Sequence, residues 1–195
     1  MNPITHLLVS WTLGAACARE RRDRTLVTLA GVAPDLDGFG LAVDLLTATS
    51  ASPTDLWGQY HHVLGHNLGF GLAVATAAFA LGQHRIRAAG LAFAAVHLHL
   101  LGDLAGGRGP DGDAWPFSYL APFSDAWVWQ WSGQWELDAW PNIALTVLLL
   151  AVVFRAAWLH GISPLELVSG RGHAAFVAAL RHRFGRPRGL VETAS

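Results

Sequence analysis

The chain has a single cysteine, Cys17, in 195 residues. An intramolecular disulfide and a thiolate zinc cluster are therefore excluded, and any bound metal must take imidazole and carboxylate ligands. Charge is also scarce: 14% of residues are charged and the formal net charge is -1. No global basic field exists to hold nucleic acid, so a nucleic-acid partner is not expected. Alternating strand patterns, internal repeats and low-complexity segments are missing too. The first apolar stretch, residues 4–18, lacks the leading positive charges of a cleaved signal; its arginines follow it, so it is expected to belong to the mature protein.

Apolar residues are abundant. Hydrophobic side chains make up 52% of the chain and the mean hydropathy is positive, which points toward lipid. Helical periodicity divides the chain into five apolar stretches, at residues 3–18, 25–46, 61–81, 88–104 and 142–159. Pro34 must break or kink the second. Arg19, Arg21, Arg22 and Arg24 follow stretch one, Arg85 and Arg87 follow stretch three, and Arg155 with the tail arginines accompanies stretch five. Those ends are expected to face the cytoplasm. The connections 47–60 and 106–141 carry a single arginine, Arg108, and the second is loaded with tryptophan, as suits a membrane interface. The expected fold is all-α, an up-and-down bundle of about five apolar helices embedded in a membrane, with a Trp-rich loop between helices four and five. A helical domain over residues 1–169 and a basic tail over 170–195 complete the expected organisation. A soluble helical bundle is the alternative.

Ionisable side chains inside apolar helices are costly and usually pair, bind an ion or serve function. His6 lies in stretch one, Asp35 and Asp37 follow Pro34 in stretch two, His61, His62 and His66 open stretch three, and His97, His99 and Asp103 close stretch four. His99 and Asp103 are four apart and share a helix face. His61 with His66, or His62 with His66, offers a second pair, and the spacing leaves that choice open. On an up-and-down path His6, His61 to His66 and His99 to Asp103 fall at the end opposite the arginine clusters. Asp35 and Asp37 lie partway up the second helix, where a kink brings them to the same depth, and such imidazoles and carboxylates need a cation or each other. A metal site is the expectation.

Thr5-His6, Pro34-Asp35-Leu36-Asp37, His61-His62-Val63-Leu64-Gly65-His66 and His99-Leu100-Leu101-Gly102-Asp103, in this order, resemble the membrane-bound metal-dependent hydrolase family of bacterial inner-membrane proteins. The resemblance covers residues 1–125 and includes the loop ending Pro122-Phe123-Ser124. That family's middle motif usually reads His-Arg-Gly-x-Thr-His-Ser, so the resemblance favours His61 and His66 as ligands over His62. It implies hydrolysis and a bacterial inner-membrane location.

Mixed histidine and aspartate ligands suit a divalent transition metal, zinc above all, rather than magnesium or calcium. The candidate ligands are His6, Asp35, Asp37, His61, His66, His99 and Asp103, enough for two ions acting on a phosphoester. Asp37 and Arg108 are the candidate catalytic residues: one carboxylate left free by the metal takes the proton from water, and Arg108 holds the substrate anion. Asp111 and Asp113 are turn residues or supports of the ligands. A site facing the non-cytoplasmic side beside an aromatic loop suits a small-molecule or lipid-linked phosphoester. A membrane ion or metal carrier, or a non-catalytic membrane protein with a hydrogen-bonded polar cluster, would use the same residues differently.

Overall fold

In the computed structural model, which describes residues 1–61, 63–109, 112 and 114–187, helix α1 (Pro3–Cys17) begins where Asn2 precedes a proline. The Asn2 side chain accepts the Thr5 N–H at 2.9 Å, and Pro3 occupies the first turn, where its missing N–H has no partner to lose. Helix α2 (Arg21–Ala30) is followed by a 3-10 segment, Ala33–Phe39, and by α3 (Gly40–Thr47). The break expected at Pro34 is there. Its two arms are bent by 46°, and the tight 3-10 winding turns Asp35 and Asp37 out of the straight path of α2.

Helix α4 (Leu56–Tyr60) is a single short turn tethered by Asp44, whose carboxylate accepts the N–H groups of Leu56 and Trp57, each at 2.7 Å. The third apolar stretch is shorter as a helix than its hydropathy suggests. Helix α5 (Leu68–Leu81) starts only after Asn67 caps it by accepting the Phe70 N–H at 2.8 Å. His61 and residues 63–66 are therefore turn and bend, not helix, which frees the imidazoles of His61 and His66 from helical spacing. Helix α6 (Arg85–Gly106) has 22 residues, about 33 Å of length. The Trp-rich loop contributes a small antiparallel pair, β1 (Phe117–Ser118) and β2 (Val128–Trp129). Helix α7 (Trp140–His160) and helix α8 (Gly170–Phe184) complete the chain, with a 3-10 turn, Pro164–Leu167, between them.

The architecture is all-α, with eight α-helices among the described residues. By length and composition α6 and α7 can each cross a membrane, and the bent pair Arg21–Ala30 with Ala33–Thr47 adds a third candidate. Helices α1 and α5, with 15 and 14 residues, fall short of the roughly 20 residues a full span needs.

Two compact units divide the chain at residue 146, within α7. In the first, Val27 and Ala30 of α2, Ala78 of α5, and Ala92, Ala95, Val96 and Leu100 of α6 form the core with Phe117 and Tyr119. The alanines keep α6 close to its neighbours, so side chains at its C-terminal end meet those of other elements. At the opposite end, buried Asp23 accepts the N–H groups of Gln83 at 2.8 Å and His84 at 3.0 Å. That contact holds the start of α2 against the start of α6, so the arginines of residues 19–24 and 85–87 share one end. In the second unit, Ala157 packs with Val177, Leu180, Trp158 and Phe176. Residues 170–184, read from sequence as part of a tail, form α8.

Candidate metal centre

Four donors from three elements converge in the first unit. His6 comes from α1, Asp35 from the 3-10 segment, and His99 and Asp103 from consecutive turns of α6. One ligand atom from each lies within 4.8 Å of all the others. The Asp103 carboxylate is central: Oδ1 is 3.0 Å from His6 Nε2 and Oδ2 is 2.9 Å from His99 Nε2. Asp35 Oδ1 is 3.6 Å from His99 Nε2. The rings of His6 and His99 stack at 3.7 Å, and both are buried with Asp103. The Met1 amino group also contacts Asp103 Oδ1.

Hydrogen bonds behind the rings decide which nitrogen faces the centre. His99 Nδ1 donates to the Gly31 carbonyl at 2.8 Å, which leaves Nε2 turned inward as an acceptor. Position 31 must be glycine for this, because a Cβ there would stand 1.6 Å from Ser10 Oγ. His66 Nδ1 donates to Asp37 Oδ2 at 3.0 Å. Its Nε2 then lies 3.2 Å from His99 Nε2 and 3.3 Å from Asp103 Oδ2. Two inward lone pairs at that distance repel unless a cation or a proton stands between them. Burial by itself would lower the His66 pKa, but the hydrogen bonds and negative charge of Asp103 and Asp37 prevail and raise it to about 9. Without a metal the centre thus holds a proton on His66. Asp35 Oδ2 is buried with no hydrogen-bond partner among the described residues. An orphaned carboxylate oxygen beside imidazole acceptors fits a divalent cation.

Asp37 stands one step outside. Its Oδ1 is 2.9 Å from His61 Nδ1, and its Oδ2 accepts the Gly65 N–H at 3.0 Å besides the His66 proton. Gly65 permits the turn to approach: a Cβ there would meet the Pro34 carbonyl oxygen at 2.4 Å. His61 stacks on Trp57 at 3.7 Å and meets Trp115 edge-on at 5.5 Å. A cavity of about 350 Å³ opens onto the cluster, with Asp35, Asp103 and His61 among its polar lining and Phe39, Trp57 and Trp115 among its aromatic walls.

Of the residues expected at the site, His6, Asp35, His66, His99 and Asp103 come together directly. Asp37 and His61 adjoin them through His66 and the cavity wall. Arg108 is placed in the Trp-rich loop, where Nη2 donates to the Ser132 carbonyl at 2.7 Å; it is not among the residues found lining the cavity. His62, Asp111 and Asp113 lie outside the described residues.

Two supports escaped sequence reasoning. Gln134 Nε2 donates to the Asp103 carbonyl at 2.5 Å, and its Oε1 accepts the Trp115 N–H at 3.0 Å. Asn142 Nδ2 donates to the Gly106 carbonyl at 3.1 Å while its Oδ1 accepts from Trp135 Nε1 at 2.9 Å. The last carbonyls of a helix need outside donors, so α6 needs such partners. No spacing rule points to residues 31 and 36 positions further along the chain.

Comparison with curated proteins and with solved structures gave no match. The sequence profile of the family described as YdjM inner membrane protein matches residues 1–182.

Proposed function

The chain belongs to the YdjM inner membrane protein family, and from the chemistry of its buried cluster we propose that it is a metal-dependent hydrolase working on a phosphoester at the membrane. One observation carries the reading: donor atoms of His6, Asp35, His99 and Asp103 lie within 4.8 Å of one another and open onto a cavity large enough for a substrate headgroup. Two nitrogens with two carboxylates suit zinc. The other polar groups, Asp37, His61 and His66, are already bonded among themselves, which favours one ion over two.

His6, Asp35, His99 and Asp103 would hold the zinc ion, which when bound would supply Lewis acidity and activate water near neutral pH. The chain does the positioning. Gly31 fixes the His99 tautomer, and Asp37 holds the rings of His66 and His61 through their Nδ1 atoms. Trp57, Trp115 and Phe39 offer apolar faces to the body of the substrate. Arg108, engaged with Ser132, has no role in this account. Arginines gathered at the α2 and α6 starts support a cytoplasmic position for that end, by the preference of basic residues for the cytoplasmic side. The metal centre, at the other end of α6, then faces outward, where an amphiphilic or lipid-linked phosphoester is within reach. The carrier alternative needs a polar path through the spans, and the cluster's two ligands on α6 sit in its last two turns.

The experiment is metal analysis of the purified chain with hydrolysis measured across soluble and lipid phosphoesters. Bound zinc with hydrolysis that His99→Ala abolishes supports the proposal. Protein purified without transition metal, or metal retained by His99→Ala, overturns it.

A further inference from the structure

Aromatic and basic side chains gather a second time in the unit of residues 147–195. Here α8 lies against α7 through Ala157, Val177 and Leu180. A groove of about 420 Å³ runs beside that contact, lined by Phe154, Arg155, Trp158, Leu180 and Phe184. Four of these side chains are apolar or aromatic and the fifth is a guanidinium.

More positive charge borders the groove. Arg181 Nε donates to the Trp158 carbonyl at 3.2 Å, and Trp158 Nε1 donates to the Gly185 carbonyl at 2.7 Å. These bonds hold the end of α8 beside Trp158, with Arg183 and Arg186 flanking Phe184 and Gly185 in the chain. Residues 147–187 contain five arginines against one acidic residue, Glu166, which is buried at 5% exposure. A second copy presenting the same face would set arginine against arginine, which argues against self-association.

The neighbourhood is lipid. Helix α7 is apolar and long enough to cross a membrane. Arg155 lies five residues before its end, about 8 Å along the axis, a depth from which its stem reaches the headgroups. Phe154 and Phe184 are exposed and extend the apolar floor of the groove outward.

The geometry points to one occupant: an anionic phospholipid, its phosphate between Arg155 and the arginines at the end of α8, and an acyl chain along Phe154, Trp158 and Phe184. Guanidinium matches phosphate oxygens in paired hydrogen bonds, and basic pockets beside membrane helices at the headgroup level favour anionic lipid. This site is independent of the metal centre.

The test uses the full chain in phosphatidylcholine nanodiscs with and without phosphatidylglycerol, with lipid retention read by native mass spectrometry after delipidation. One phosphatidylglycerol per chain is expected to be retained. Arg155→Gln and Arg183→Gln should each weaken retention about fivefold, whereas Arg171→Gln, at the far end of α8, should leave it unchanged. Exposed Arg183 tests the idea even where Arg155→Gln lowers expression. Equal retention of phosphatidylcholine, equal weakening by Arg171→Gln, or complete displacement by inorganic phosphate would overturn the proposal.

Discussion

His66 Nε2 and His99 Nε2 face each other at 3.2 Å, while the other nitrogen of each ring donates to Asp37 and to the Gly31 carbonyl respectively. In their neutral forms both rings thereby point an acceptor inward, and in the metal-free protein the proton on His66 relieves the clash of lone pairs. The consequence is a site that demands positive charge, and four predictions follow its parts outward.

Removing a ligand should empty the centre. His99→Ala or Asp103→Ala is expected to abolish stoichiometric zinc, read by elemental analysis of the purified protein, while Arg108→Ala keeps its zinc. Asp103→Ala should also lower thermal stability, because His6, His66 and His99 lose a common partner.

Removing an orienting group should weaken rather than empty it. Asp37→Asn keeps the shape but no longer accepts from His61 and His66 as a carboxylate. Metal affinity is expected to fall about 10- to 100-fold, measured by competition with a chromophoric chelator. An Asp37→Asn variant with unchanged affinity would detach this residue from the site.

The protonation of His66 makes two pH dependences. Its folded value of about 9 lies above the ordinary 6.5, so the metal-free protein gains stability from this group below 6.5 and loses it as pH rises through about 9. A metal bound at this site must displace the His66 proton or its charge, so zinc affinity should increase with pH over the same window. Melting of the metal-free chain between those pH values, compared with His66→Gln, checks the first dependence. The variant should show a flatter profile.

Glycines separate backbone need from chance. Gly65→Ala forces a Cβ to 2.4 Å from the Pro34 carbonyl oxygen, and should cost about 1–3 kcal/mol together with metal binding. Gly90→Ala, in α6 with nothing within 4 Å of the added carbon, should instead stabilise the helix by about 0.5–1 kcal/mol. Thermal melting and metal titration of both variants compare them directly.

Much of this was legible from residue order. Apolar periodicity marked α6 and α7 to within a few residues, since long uniform helices leave a strong 3.6-residue signal. Pro34 announced the bend that delivers Asp35 and Asp37, because proline removes a helical donor whatever surrounds it. The four-residue spacing of His99 and Asp103 placed both on one face before any packing was considered. The turn around Gly65 was hidden, because its conformation depends on Gly65 passing under Pro34, a contact between segments about 30 positions apart.

Residue types and spacings alone determined that this chain is helical, suited to a membrane, and equipped with imidazoles and carboxylates rather than thiolates. Those properties are local: periodicity, hydropathy and side-chain chemistry need no partner. Only the tertiary structure decided that Asp103 gathers His6, His66 and His99, that Asp37 stands behind the rings, and that Gln134 and Asn142 secure the end of α6. These are contacts across long loops, and which groups meet depends on helix packing, bend angle and backbone clearance that no single segment encodes.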